Sequence, residues 1–229
     1  MSALAQLLER HQHEFGPVLP VDLNAPEVTR LDFTAANLVV AQADLRDTAS
    51  FEELVQQLLA EKDAAIGVGG YLEDRVIYRR SPELFGDAAQ PRSLHLGVDI
   101  WLRAGTPVLA PLDAVVHSVE DNEGFGNYGP TVILQHQLED TTFYTLYGHL
   151  TRRETALLRP GMTVEQGVSF TEVGPALENG DWPPHLHFQI IADMQNYVGD
   201  YPGVALPEER EKWAELCPDP NLILQSKWL

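Results

Sequence analysis

Cysteine is nearly absent from this 229-residue chain, in which Cys217 stands alone. No internal disulfide can form, and a zinc site built on thiolates is excluded. Basic residues are scarce as well. Against 34 Asp and Glu there are 15 Lys and Arg, a formal net charge of −19. Nucleic acid and anionic membrane surfaces are bound through clustered cations, so neither is expected as a partner. No apolar run approaches the roughly 18 residues of a membrane-spanning helix. The segment from Met1 to Phe15 lacks the basic stretch and apolar run of a secretory leader, so a cytoplasmic location is expected. The 17 Gly and 16 Pro are near the ordinary share, which excludes a low-complexity chain.

What is present suffices for one domain with extensions. Residues 1–65 read as a helical or mixed N-terminal extension. Leu4, Leu7, Leu8 and His11 share one helical face, and Ser50 with Glu53 forms a capping box ahead of Phe51, Leu54, Val55, Leu58 and Leu59. Residues 66–195 read as a β-domain. Short β-rich runs are predicted at 94–100, 107–110, 114–118, 131–136, 143–150, 169–173 and 185–191, with turn signals about every 8 to 12 residues. No helical pattern alternates with them, which disfavours a parallel βαβ sheet, and the turn spacing favours an all-β sandwich or barrel. Residues 196–229 form a tail in which Pro207 starts a short helix to Leu216 and Pro218 and Pro220 follow its end.

Of eight histidines, four lie in patterns that suggest chemistry. His95 and Asp99 flank Gly97. On a regular strand residues four apart share a face but stand roughly 13 Å from each other. They can share a metal only if the chain bends, and Gly97 is the cheapest place for a bend. His185 and His187 are spaced i, i+2, so both imidazoles share one face while Leu186 and Phe188 point to a core. That pattern equally suits a metal pair, one ligand beside one substrate-facing ring, or a plain polar strand face. His149 ends the apolar run 143–150. His136 and His117 read as structural, and His11 and His13 as solvated or packed residues of the first helix.

The motifs His-x-Gly-x-Asp (95–99), Tyr-x-His-Leu (147–150) and Pro-His-x-His-Phe (184–188) occur in this order. Between them lie Ala104-Gly105-Thr106-Pro107-Val108 and Leu158-Arg159-Pro160-Gly161, with Gly167 closing the latter stretch. Together, over about Arg92 to Ile191, they resemble the lysostaphin/LytM-type zinc metallopeptidases, which cut peptide bonds in peptidoglycan and related peptides. The resemblance implies a mainly β fold, an antiparallel β-sandwich of the duplicated-hybrid-motif type. It implies zinc on His95, Asp99 and His187, with His149 and His185 as catalytic histidines whose individual roles stay open. Two imidazoles and a carboxylate leave a fourth position free, as hydrolytic zinc requires.

Where this family commonly has a small Ser/Thr-Gly stretch, the chain has Glu178-Asn179-Gly180-Asp181-Trp182-Pro183-Pro184, and Trp182 with the prolines is expected to stiffen one wall of the groove. Tyr78, Arg92, Asn179 and Trp182 are candidate substrate contacts for a peptide or muropeptide, a Tyr as oxyanion donor and an Arg as carboxylate clamp. The chain also resembles the peptidase-like module of proteins fused to a phosphotransferase-like domain and a class III aminotransferase, through 71–78, 179–189 and Cys217-Pro218-Asp219-Pro220. That kinship implies a functional link to such enzymes and a small peptide or amide substrate.

Gly124-Phe125-Gly126-Asn127-Tyr128-Gly129 matches a dinucleotide-binding pattern, but Pro130 and a β-run follow it rather than a helix, so it reads as a loop. The rivals to a peptidase are a non-catalytic module that keeps the fold and a phosphocarrier domain. The first is disfavoured by the presence of all five site residues, the second by Asp99 four residues after His95.

Overall fold

Alternation of apolar and polar residues fixes most of the strands, and they lie within a few residues of where the pattern puts them. The computed structural model describes residues 1–86 and 91–229. The strands are β1 (Val28–Leu31), β2 (Ile66–Gly69), β3 (Leu94–His95), β4 (Val98–Trp101), β5 (Pro107–Leu109), β6 (Ala114–Asn122), β7 (Gly129–Leu138), β8 (Thr141–Gly148), β9 (Thr163–Val164), β10 (Ser169–Glu172), β11 (His185–Ile191) and β12 (Val204–Ala205). The main sheet runs β1-β2-β4-β11-β8-β7-β6-β9, and β10–β5 and β12–β3 form two small ribbons. From β2 onward every pairing is antiparallel, as expected of a mainly β chain.

The exception is β1, which the sequence pattern does not reveal. It pairs in parallel with β2, Val28 opposite Ile66. The connection between them carries the helices α2 (Leu38–Gln42) and α3 (Thr48–Ala60), after α1 (Ala3–Arg10) near the N-terminus. A helical crossover of this kind is what a parallel pair requires. The N-terminal region thus extends the sheet at one edge. α3 also begins one turn earlier than the capping box suggests. Asp47 is its cap, accepting hydrogen bonds from the Ser50 amide at 2.8 Å and the Ser50 hydroxyl at 2.7 Å. A carboxylate at this position satisfies a free amide and favours the helix N-terminus electrostatically, so it takes the place expected of Ser50.

Each face of the main sheet is covered. On one, Val98, Ile100, Val132, Leu134, Leu186, Phe188 and Ile190 pack against Val108, Ala110 and Val173, and Leu4, Leu7 and Leu8 of α1 join the same cluster. On the other, Ile133, Leu146 and Ile191 meet Tyr201 and Trp213 from the C-terminal tail. Leu31, Phe33 and the apolar stripe of α3 close around Trp101 and Trp182. The tail contains the expected helical stretch, a 3-10 turn at Pro207–Glu209 continuing into a helix at Arg210–Leu216. Among the described residues no helix is long and apolar enough to cross a membrane.

Candidate metal centre

Strand register assembles the site. In the antiparallel β4–β11 pair, Asp99 lies opposite His187 and Trp101 opposite His185. Residues directly opposed on one face have Cβ atoms about 4.5–5.5 Å apart, so a carboxylate and two imidazoles distant in sequence become neighbours. Along β11 the alternation sends Leu186, Phe188 and Ile190 into the sandwich interior and leaves His185, His187 and Gln189 on the site face. That face is not a solvated one, because β11 is buried along its whole length.

The bend needed between His95 and Asp99 is present. β3 ends at His95, β4 starts at Val98, and β3 turns aside to pair with β12. Gly97 occupies the break. A Cβ there would stand 2.7 Å from the His187 ring and from the Phe188 carbonyl oxygen, so only glycine lets the imidazole settle beside His95.

Three atoms converge at the centre. His95 Nε2 lies 3.0 Å from His187 Nδ1, His187 Nδ1 lies 3.1 Å from Asp99 Oδ1, and His95 Nε2 lies 3.3 Å from Asp99 Oδ1. The outer hydrogen bonds fix what these atoms carry. His95 Nδ1 donates to the Gly70 carbonyl at 3.1 Å, which leaves a lone pair on Nε2 of the neutral ring. Gln189 donates its amide to the Pro202 carbonyl at 3.1 Å, so its oxygen faces His187 Nε2, 3.0 Å away, and accepts that proton. His187 Nδ1 is then a lone pair too. Two nitrogen lone pairs and a carboxylate oxygen pointing at one spot repel one another unless a cation sits between them. Ligands about 2.0–2.1 Å from a tetrahedral zinc are separated by about 3.3 Å, close to the spacing found. The donor set therefore fits the metal.

A residue not singled out from sequence as functional closes the other side of Asp99. Arg75 is fully buried; its Nη1 donates to Asp99 Oδ2 at 2.5 Å and its Nε to Glu73 Oε2 at 2.8 Å. Burial alone would raise the Asp99 carboxyl, but the positive charge beside it, that of the buried Arg75 guanidinium, outweighs it and holds the group well below the usual carboxylate range. Burial pulls His95 down to about 3, with Arg75 adding to the shift, so the ring stays neutral and able to bind metal.

His149 and His185 stand beside the triad with ring centroids 4.2 Å apart. His149 Nδ1 donates to the Asn179 carbonyl and His185 Nδ1 to the Pro183 carbonyl, both at 2.8 Å, so each ring keeps a lone pair on Nε2. His185 Nε2 is 3.8 Å from Asp99 Oδ1. Burial takes His185 down to about 4; burial and then His185 take His149 well below its ordinary value. His149 holds a left-handed backbone, φ +62°, an outlier of the sort that accumulates at functional sites. The Trp101 indole stacks on His185 at 4.1 Å, and Trp182 stands edge-on to both rings at 6.0 Å.

A cavity of about 250 Å³ adjoins these groups, and Tyr78, Arg92 and Trp182 line it. Asn179 is placed differently from the expected substrate contact. It is fully buried, its amide nitrogen bonds the Gly174 and Trp182 carbonyls at 3.2 and 3.1 Å, and its side-chain oxygen accepts the Trp182 amide at 3.0 Å. The side chain ties the loop together, and the backbone carbonyl orients His149. The glycine-rich segment is a loop beside the site, with Gly126, Asn127 and Tyr128 lining the cavity. Tyr128 Oη lies 3.5 Å from His187 Nε2. His136 is structural, bonded to Thr145 Oγ1 at 2.8 Å, and His117 bonds Ser118 Oγ at 2.9 Å. Trp101 and Gln189 carried a signal in the sequence, each two residues beyond a site residue on the same strand face. Arg75 carried none beyond its place in 71–78.

Known proteins show the same segment. Residues 93–198 match the family described as "Peptidase family M23". A lipoprotein NlpD/LppB homolog of Pseudomonas aeruginosa is 35% identical over 127 residues, 56% of this chain and 37% of that protein. An uncharacterized metalloprotease of Haemophilus influenzae is 35% identical over 97 residues, 42% of this chain and 18% of that protein. The chain thus spans little more than a third of the length of these curated relatives at most. The catalytic domain of lysostaphin from Staphylococcus simulans superposes with a TM-score of 0.35 at 23% identity, covering 52% of this chain and 80% of that one. The matched segment, residues 93–198, carries His95, Asp99, His149, His185 and His187 and is similar over its whole length to peptidase family M23.

Proposed function

We propose that the chain is a zinc-dependent hydrolase of peptide or amide bonds, acting on a small peptide or a peptidoglycan-type fragment. The observation that carries this reading is the meeting of two unprotonated imidazole nitrogens and one carboxylate oxygen within 3.3 Å of one another. His95, Asp99 and His187 would hold the zinc, and the metal when bound lowers the pKa of a water toward ~7 and polarises a carbonyl.

The remaining steps belong to the chain. His149 and His185 are kept neutral by burial, so both begin as proton acceptors at Nε2. The ring that takes the proton of the attacking water becomes the cation that supports the developing oxyanion and can return the same proton to the leaving amine, while the second ring, still neutral, accepts a hydrogen bond from the water's other O–H and orients it. The Asn179 and Pro183 carbonyls keep each lone pair aimed by holding the opposite nitrogen. Trp101 and Trp182 shield the pair from bulk water. Tyr78, Arg92 and Trp182 border the cavity and are the proposed substrate contacts.

Elemental mass spectrometry of the purified protein tests the reading, beside Asp99→Asn as a near-isosteric control. About one zinc per chain, lost in the variant together with hydrolysis of peptide or muropeptide substrates, is expected. Wild-type protein that takes up no zinc on reconstitution overturns it. Zinc bound with no turnover on any peptide supports a metal-holding regulatory module instead.

A further inference from the structure

Much of the wall beside this cavity comes from outside the segment that matches the peptidase family. Ile77, Leu84 and Phe85 precede residue 93, and Pro202 and Val204 follow residue 198, yet all five line the same cavity as Asp99, His149, His185 and His187. The wall is packed rather than loose. Ile77, Phe85 and Val204 are buried members of one apolar cluster, with Leu84 against it. The Tyr78 ring rests on Phe85 with centroids 4.7 Å apart. Val204 is held in register directly opposite the metal-ligand candidate His95. An apolar surface is therefore fixed next to the point where a scissile carbonyl would sit.

We propose that this wall is a subsite for an apolar side chain on the residue adjoining the scissile bond, so that the site prefers a short peptide or amide of the leucine or phenylalanine class over a glycyl one. The proposal rests on the metallopeptidase reading. Its physical basis is that burying apolar surface drives binding, and each added methylene in a matched pocket discriminates about 10-fold or more. A glycine at this position would leave the wall uncovered and gain nothing from it.

Calorimetric titration of the zinc-loaded full chain with glycine, leucine and phenylalanine hydroxamates tests the subsite without any need for turnover. All three probes bind metal through the same group and carry the same ammonium, so contributions from Arg92 and Asp200, which also border the cavity, cancel in the comparison. The leucine or phenylalanine probe is expected to bind at least about tenfold more tightly than the glycine probe. Phe85→Ala should reduce that advantage to a fewfold while leaving zinc content and glycine hydroxamate binding unchanged. Equal affinities, or tightest binding by the glycine probe, overturn the subsite and leave the metallopeptidase reading standing. If no probe binds although zinc is present, both readings fall. Should Phe85→Ala not fold, the wild-type series alone still decides.

Discussion

The three metal-ligand candidates are held by hydrogen bonds, whereas the two neighbouring histidines are held largely by aromatic packing. His95, Asp99 and His187 each have their outer atom engaged, by the Gly70 carbonyl, by Arg75 and by Gln189. His149 and His185 have one carbonyl each and are otherwise bounded by Trp101 and Trp182. Those indoles are backed in turn by the N-terminal region. Phe33 and Phe51 lie 5.2 and 5.8 Å from Trp101, and Phe51 lies 6.0 Å from Trp182. Under the proposed function the difference follows from two tasks. A metal needs donors fixed in tautomer and direction, which hydrogen bonds supply. Rings that accept and release a proton need their position fixed and water kept away, while the reactive nitrogen stays unengaged, and packing does this.

The sharpest way to separate the two sets is to remove one ring from the packed pair. His149→Ala should leave zinc content at the wild-type level and lower kcat by about 10²–10⁴-fold, the usual worth of a positioned acid or base. Elemental analysis and steady-state kinetics on one preparation check both halves. Loss of zinc with the ring would make His149 a ligand and dissolve the distinction.

A second variant acts on the packed pair from a distance. Phe51 is fully buried in α3. Phe51→Ala should cost about 3–5 kcal/mol of stability, measured by urea unfolding, because it leaves a cavity among rings that cannot collapse freely. If the aromatic backing positions His185, kcat falls in the fraction that remains folded while zinc affinity holds. Unchanged kcat at full zinc loading would reduce the N-terminal region to a stabilising role.

Sequence pattern made the ligand set more legible than its supports. His95, Asp99, His185 and His187 stand in short local motifs, and the period-two alternation of β11 is enough to place both of its histidines on one face. If His95 and Asp99 are to share a metal, strand geometry requires a bend between them, and Gly97 is the place the sequence offers for it. Arg75 escapes notice because its partners are set by tertiary structure. A lone arginine in an irregular segment looks like surface until Asp99 and Glu73 are seen to enclose it. β1 escapes for a similar reason: four residues are too few for periodicity, and their strand is defined by pairing with β2. Asn179 misleads in the opposite sense, since a polar residue beside a histidine motif looks like a substrate contact when its amide is fully spent inside the loop.

The smallest expected effect tests the hydrogen-bonded set at its outer edge. Gln189 touches no metal position, but its oxygen accepts the proton of His187 Nε2 and its amide is anchored on the Pro202 carbonyl and, at 3.2 Å, on Cys217 Sγ. Gln189→Leu keeps nearly the same volume and removes the acceptor. The His187 tautomer is then no longer fixed by this contact, and part of the population carries its proton on Nδ1, where the metal must bind. Zinc affinity should fall about 10- to 100-fold, as is usual for loss of an outer partner of a metal-bound histidine. Competition against a chelator of known affinity measures this directly. At saturating zinc, kcat should stay close to wild type, because His149 and His185 make no contact with Gln189. A drop in kcat that excess zinc does not restore would mean that the two sets are coupled through β11, and that hydrogen bonding and packing act on one site rather than on two.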